Sequence, residues 1–136
     1  MNIKLILVTI STLFVFTIVG CANKIIDSEV MYEKSSFLTK LTRKVQVGVR
    51  DNINTEEELS SFINDKFPTV MSNFSEYSIR MKNDNGIAVV LMCNKEKTKA
   101  LVEDAVCKAE VEGADLYTKD LPCEFQLNIK EVCKED

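Results

Sequence analysis

Residues 77–93, YSIRMKNDNGIAVVLMC, decide the fold because they contain two strands and the turn that joins them. Residues 77–82 alternate between apolar and polar side chains, as a half-buried strand does. Asn83-Asp84-Asn85-Gly86 is a strong turn sequence, since Asn and Gly tolerate positive φ angles. Residues 87–93 are continuously apolar, which is typical of a strand buried on both faces. This stretch predicts an antiparallel β-hairpin.

Two further elements are predicted before the hairpin. Residues 44–50, KVQVGVR, place three valines at alternating positions, which indicates a strand. Thr55 followed by Glu58 forms a capping box, the usual start of a helix, and Pro68 predicts its end. Four apolar residues repeat at helical spacing between these two points: Leu59, Phe62, Ile63 and Phe67.

Two more elements are predicted after the hairpin. Residues 95–111 are predicted to be a helix capped by Asn94 and ended by Gly113, and residues 123–130 alternate like a strand. The resulting order is the βαββαβ, ferredoxin-like pattern. We therefore predict a small α+β sandwich whose antiparallel sheet carries both helices on one face. An α–β–β–α–β unit is the alternative if residues 44–50 belong to an N-terminal tether.

The first twenty residues are predicted to be an export signal rather than part of the fold. They begin with a single basic residue, Lys4, and continue without charge to Gly20. This run is shorter than the about 20 apolar residues that a membrane span requires, and it suits a secretory signal peptide. A permanent N-terminal membrane anchor is the alternative.

The end of this signal, Ile18-Val19-Gly20-Cys21, resembles the lipobox of bacterial lipoproteins, with Ile where Leu is commonest. The resemblance implies that Cys21 becomes the mature N-terminus and carries acyl chains such as palmitate. Ala22, in place of Asp, implies sorting to the outer membrane, facing the periplasm. The resemblance covers this segment only and implies nothing about the folded domain.

The expected organisation is a signal peptide (1–20), a lipidated tether (21–42) and a disulfide-stabilised domain (43–136). The 136-residue chain has a formal net charge of −4, which argues against a nucleic-acid partner. Residues 22–50 contain six basic and three acidic side chains, whereas residues 51–136 contain ten and eighteen. This polarity favours an anionic lipid surface near the membrane; a solvated linker is the alternative.

Four cysteines remain after Cys21, and an exported compartment allows them to form two disulfides. A zinc site is not expected, because the chain has no His and no C-x2-C pair. In the predicted sheet, the first choice pairs Cys107 with Cys123 and Cys93 with Cys133. The second choice pairs Cys93 with Cys123 and Cys107 with Cys133.

We expect no enzyme and no cofactor. The absence of His removes Ser-His and Cys-His mechanisms, and there is no Gly-rich phosphate loop. The chain is rich in carboxylates, but those considered fall in a predicted first helical turn or on exposed helix faces, where solvated side chains are the rule. They are Glu56, Glu57, Glu58, Glu103, Asp104, Glu110 and Glu112.

A partner-binding surface is predicted on the sheet face that the helices leave uncovered. An apolar stripe with a basic rim is typical of such a surface. The predicted residues are Ala88, Val90 and Met92, with Arg80 and Lys82 beside them. The alternative is that residues 22–42, especially Phe37 and Leu41, cover this stripe.

These observations predict a lipid-anchored envelope protein that acts as a binding, structural or accessory module without catalysis. Its partners would be the membrane, through the lipid on Cys21, and an unidentified envelope protein. The alternative is a periplasmic immunity protein, or an inhibitor of a toxin or cell-wall hydrolase, that uses acidic residues against a basic target.

Overall fold

An antiparallel sheet, ordered β1-β2-β3-β4, is the centre of the computed structural model, which describes residues 27–107 and 114–133. The α+β class and the antiparallel sheet are confirmed. In chain order the elements are α1 (Ser28–Arg50), α2 (Glu56–Lys66), α3 (Pro68–Met71), a 3-10 turn (Ser72–Phe74), β1 (Tyr77–Asp84), β2 (Ile87–Asn94), β3 (Ala100–Ala105), β4 (Ala114–Asp115) and α4 (Ile129–Val132). Helices α1 to α3 precede the strands and a short α4 follows them, so the element order differs from βαββαβ.

The predicted hairpin is confirmed. Strands β1 and β2 pair from Tyr77 opposite Asn94 to Asp84 opposite Ile87. The two turn residues between them both have positive φ, 55° at Asn85 and 89° at Gly86. A two-residue turn of this kind matches the twist of the strands it joins.

The predicted strand at residues 44–50 is wrong, because these residues form the last two turns of α1. The helix is capped by Asp27, whose side chain accepts a hydrogen bond from the Glu29 amide at 2.9 Å. The predicted boundary between tether and domain, at residues 42 and 43, falls inside this helix. Five apolar residues recur at helical spacing along its buried side, and packing of this face outweighs the β preference of valine: Met31, Leu38, Leu41, Val45 and Val49.

The predicted capped helix is confirmed as α2. Thr55 accepts a hydrogen bond from the Glu58 amide, and the helix ends at Lys66, before Pro68. Helix α2 packs beside α1 where α1 carries Gly48. A Cβ on Gly48 would lie 3.0 Å from Phe62 Cδ1, so the glycine permits this close approach.

The predicted helix at residues 95–111 is wrong over its described part, where residues 100–105 form β3. Asn94 does not cap a helix; its side chain accepts hydrogen bonds from the amides of Thr98 and Lys99, both at 2.9 Å. These bonds turn the chain back along β2. Residues 108–111 and the predicted cap Gly113 lie outside the described residues.

The predicted strand at residues 123–130 is also wrong. Residues 121–133, here called the strap, run irregularly across the sheet and end in α4. Ile129 is buried, and Phe125 and Leu127 are partly buried, against Val89 and Ala105. The sheet therefore has α1 and α2 on one face and the strap on the other.

Candidate functional site

The apolar stripe predicted to bind a partner is not exposed. Ala88, Val90 and Met92 are each 0% exposed and share one core with Leu38 and Leu41 of α1. Their predicted exposure is therefore wrong, and the alternative, in which Leu41 and its helix cover the stripe, is observed. Phe37 packs partly buried against the same core.

Arg80 and Lys82 lie on the opposite face of the sheet, because they alternate with the buried Met81 along β1. Both side chains are 35% exposed. The structure therefore separates the predicted site into three buried apolar residues and two accessible basic residues. The basic pair is the part that a partner can reach.

Arg80 is the centre of a surface cluster that joins α2, β1 and the strap. Its Nε donates to Glu56 Oε1 at 3.2 Å and its Nη2 to Glu56 Oε2 at 3.1 Å, while Nη1 donates to the Cys123 carbonyl at 3.2 Å. The guanidinium carbon lies 5.3 Å from the centre of the Phe125 ring, and Lys82 Nζ lies 5.0 Å from the same point. We call Glu56, Arg80, Lys82 and Phe125 the Arg80 cluster.

This geometry holds the guanidinium in one orientation. The hydrogen bonds that Arg80 donates to Glu56 raise its pKa, and burial opposes them. A planar guanidinium paired with a carboxylate on one side and an aromatic ring on another is a rigid recognition element. Lys82 Nζ is likewise paired, with Asp84 Oδ2 at 2.9 Å. The Arg80 cluster therefore offers an oriented, ion-paired guanidinium and aromatic area together without further ordering.

Glu103 lies in the same cross-strand row as Arg80, since both are paired with Leu91 of β2. It is 0% exposed, so its predicted place on an exposed helix face is wrong. Its Oε2 accepts hydrogen bonds from the amides of Gln126 at 2.7 Å and Leu127 at 3.2 Å. Burial raises the pKa of Glu103, while these two bonds and the charge of Lys82 oppose the rise.

Asp104 is buried on the other face, beneath α1, and its predicted exposure is likewise wrong. Burial raises the pKa of Asp104; hydrogen bonds from Thr42 and Thr39 and the charge of Arg43 oppose it. Among the other predicted carboxylates, Glu57 and Glu58 are exposed as expected. Glu110 and Glu112 lie outside the described residues.

Two disulfides hold the strap. The structure joins Cys93 to Cys123, with Cα atoms 5.7 Å apart, and Cys107 to Cys133, with Cα atoms 5.4 Å apart. This is the second of the two predicted pairings, and the first is wrong. The first choice depends on Cys107 lying late in the predicted helix at residues 95–111 and on Cys123 beginning a strand, and the described residues show neither. Cys21 lies outside the described residues.

The described residues contain no group of three or more His, Cys, Asp or Glu side chains placed to hold a metal ion. Within the same ranges, no helix combines the length and the hydropathy needed to cross a membrane. A scan against protein-family models, a search of curated proteins and a search of solved structures each find no match for this chain.

The sequence reasoning missed that Glu56 and Phe125 complete a cluster around Arg80. From the sequence, Glu56 is only an acid of a first helical turn, and Phe125 is only one apolar residue of the predicted strand at residues 123–130. The sequence reasoning also missed the burial of Glu103 in a strand, although the sequence contains one signal for it. Residues 100–107 are apolar except for the adjacent Glu103 and Asp104. Adjacent residues of a strand face opposite sides of a sheet, so a strand here buries one acid on each face.

Proposed function

We propose that the protein is a lipid-anchored bacterial envelope protein that works by binding another envelope protein, without catalysis. The Arg80 cluster is the observation that carries this proposal. Arg and aromatic residues supply much of the binding energy in protein interfaces, and this cluster presents both, partly exposed and already oriented. Strand β1, which carries it, is at an edge of the sheet, where a partner strand could add.

The lipobox-like segment supports the anchor. Asp27, the first described residue, lies six positions after Cys21, a distance that an extended chain covers in about 20 Å. Acyl chains on Cys21 would therefore hold the domain close to the bilayer, and Ala22 favours the outer membrane, facing the periplasm. The two disulfides suit an oxidising, exported location.

The chemistry of the described residues supports binding over catalysis. All four described cysteines are in disulfides, so none is available as a thiolate nucleophile. The chain has no His to act as a base. Glu103 and Asp104 are buried on opposite faces of one strand, so they cannot act as an acid–base pair on one substrate.

The anchor is tested by expression of the full chain and of Cys21→Ala in a bacterium supplied with labelled palmitate. We expect incorporated label in the first and none in the second. A chain that is processed without incorporating label would contradict the anchor.

Binding is tested with a photo-crosslinking amino acid at position 82 of the full chain in intact cells. The matched control is position 97, an exposed lysine in the turn after β2. We expect one discrete adduct from position 82, absent from position 97 and lost when Phe125→Ala is added. Equal adducts from both positions would contradict the proposal. A captured toxin or cell-wall hydrolase that the protein inhibits would instead favour the inhibitor alternative.

A further inference from the structure

The exposed face of α1 carries a concentrated positive charge in its second half. Residues 34–50 contain no acidic side chain. At 100° per residue, the exposed residues of this half lie within a sector of about 120°, opposite the buried Leu41, Val45 and Val49. They are Lys40, Arg43, Lys44, Val47 and Arg50, here called the basic face.

These charges are available to a ligand. Among the described residues, no acidic oxygen lies within 4.0 Å of the side-chain nitrogens of Lys40, Arg43, Lys44 or Arg50. Arg43 interacts electrostatically with Asp104, but Asp104 is buried beneath the helix. Lys40 Nζ and Lys44 Nζ lie 5.2 Å and 4.9 Å from the ring centres of Phe37 and Phe67. Among the described residues, the basic face therefore meets solvent without a surface ion pair.

We propose that the basic face of α1 lies on the anionic surface of the bilayer that holds the lipid anchor. The inference rests on the proposed lipidation of Cys21. Charge complementarity is the first argument, because clustered Lys and Arg next to a membrane anchor bind anionic headgroups. Val47, 43% exposed in the middle of the basic face, is the second, because an apolar side chain there enters the headgroup region favourably.

The position of the anchor is the third argument. Cys21 and Asp27 are six residues apart, at most about 20 Å of chain, and α1 is about 35 Å long, so the basic face can reach the bilayer that holds the anchor. Tyr32, which is 81% exposed near the N-terminal end of the helix, lies at the edge of the same sector at 100° per residue, and tyrosine favours membrane interfaces. Glu29 and Glu33 share this end, so the contact is centred on residues 40–50. The Arg80 cluster, on the opposite face of the sheet, then points away from the membrane.

The chain has no Trp, which allows a sharp test. Val47→Trp introduces one fluorophore into the basic face, and Thr118→Trp introduces one at an exposed position in the turn at residues 117–120, outside the basic face. Each full mature lipoprotein is reconstituted into vesicles of brominated phosphatidylcholine, with or without phosphatidylglycerol. We expect the loss of fluorescence of the Val47→Trp protein to be roughly twofold larger in vesicles with phosphatidylglycerol than in vesicles without it. The fluorescence of the Thr118→Trp protein should be the same in both kinds of vesicle.

Charge reversal supplies the second arm of the test. Adding Lys40→Glu and Lys44→Glu to the Val47→Trp protein should abolish the extra quenching, whereas adding Lys95→Glu and Lys97→Glu should preserve it. Equal quenching of the two single-Trp proteins, or quenching indifferent to the charge reversal, would overturn the inference.

Mass spectrometry of the Cys21 peptide reports separately on the anchor. If Cys21 carries acyl chains but the Val47→Trp protein is not quenched, the membrane contact of the basic face is refuted and the anchor is not. If the Val47→Trp protein is quenched but Cys21 carries no acyl chains, the anchor is refuted and the membrane contact of the basic face is not.

Discussion

Glu103 Oε2 and the Gln126 amide nitrogen lie 2.7 Å apart, and this bond joins the centre of β3 to the strap. A neighbouring bond from the Leu127 amide reaches the same oxygen. Residues 123–130 do not pair with the sheet as a strand. Two of their backbone amides donate to the buried Glu103 carboxylate instead. The position of the strap therefore depends on Glu103 as well as on the two disulfides.

Glu103→Ala should be strongly destabilising. The change leaves two partly buried amides without this acceptor, and each such loss costs about 1–3 kcal/mol. We expect the free energy of unfolding to fall by about 2–4 kcal/mol in urea denaturation. The control is Glu57→Ala, an exposed acid of α2, which should change stability by less than about 0.5 kcal/mol. Equal effects of the two changes would contradict the role of Glu103.

Glu103 should also make stability depend on pH. Burial raises its pKa, so the folded protein keeps a proton that the unfolded chain releases near its ordinary pKa of about 4.3. The folded state binds more protons in this window, and stability falls as the pH rises through it. Asp104 contributes with the same sign, because burial raises its pKa too. In urea titrations between about pH 4 and pH 7, Glu103→Gln should show a shallower fall than the wild type. An unchanged slope would contradict this account.

Gln46 should be critical for the position of the hairpin beneath α1. Its Oε1 accepts from the Ala88 amide at 2.7 Å, and its Nε2 donates to the Gly86 carbonyl at 2.9 Å. Gln46→Ala leaves the buried Ala88 amide without this acceptor, and we expect thermal denaturation to show a loss of about 1–3 kcal/mol. Gln126→Ala, an exposed amide on the strap, is the control and should have little effect. A neutral Gln46→Ala would contradict this role.

Val90 and Met92 test the correction to the predicted binding surface. Replacing both with Ser and Gln puts polar groups between the sheet and α1, and we expect a loss of about 4 kcal/mol or more, enough to unfold a small domain. Circular dichroism measures this directly. A stable double variant that had lost only partner binding would restore the original prediction.

The two disulfides should contribute separately. Removing Cys93 and Cys123 together should cost about 2–4 kcal/mol, because the bridge closes a loop between residues 30 positions apart. Removing Cys107 and Cys133 should cost a similar amount. Peptide mapping of the non-reduced protein checks the pairing first. A bridge between Cys93 and Cys107 would contradict both the structure and the two sequence-based pairings.

Local signals in the sequence were sufficient for the hairpin and for α2. The Asn85-Gly86 turn and the Thr55 cap each act within four residues, and tertiary packing does not override them. Residues 44–50 were ambiguous, because Val45 and Val49 satisfy both an alternating pattern and a four-residue helical spacing. Only the earlier apolar residues of the same helix, Leu38 and Leu41, distinguish the two.

The errors at β3 and in the site have another cause. Charged residues are rarely buried, so Glu103 and Asp104 indicated a solvated helix face. Their partners, the Leu127 amide and the Thr42 hydroxyl, are distant in sequence and cannot be read from a local pattern. Arg80 and Lys82 were predicted on the correct strand but with the wrong neighbours, because the hairpin register places them opposite Leu91 and Val89 and not beside Val90 and Met92.

The sequential order of the sheet has a consequence for biogenesis. Each strand pairs with the next one along the chain, so little loop-closure entropy opposes assembly of α1, α2 and the first three strands. Under the proposed export from the N-terminus, the chain can fold to Ala105 before the strap emerges. Cys93 is then already fixed in its strand when Cys123 arrives, so the folded sheet selects the partner and guides oxidation to the native pairing.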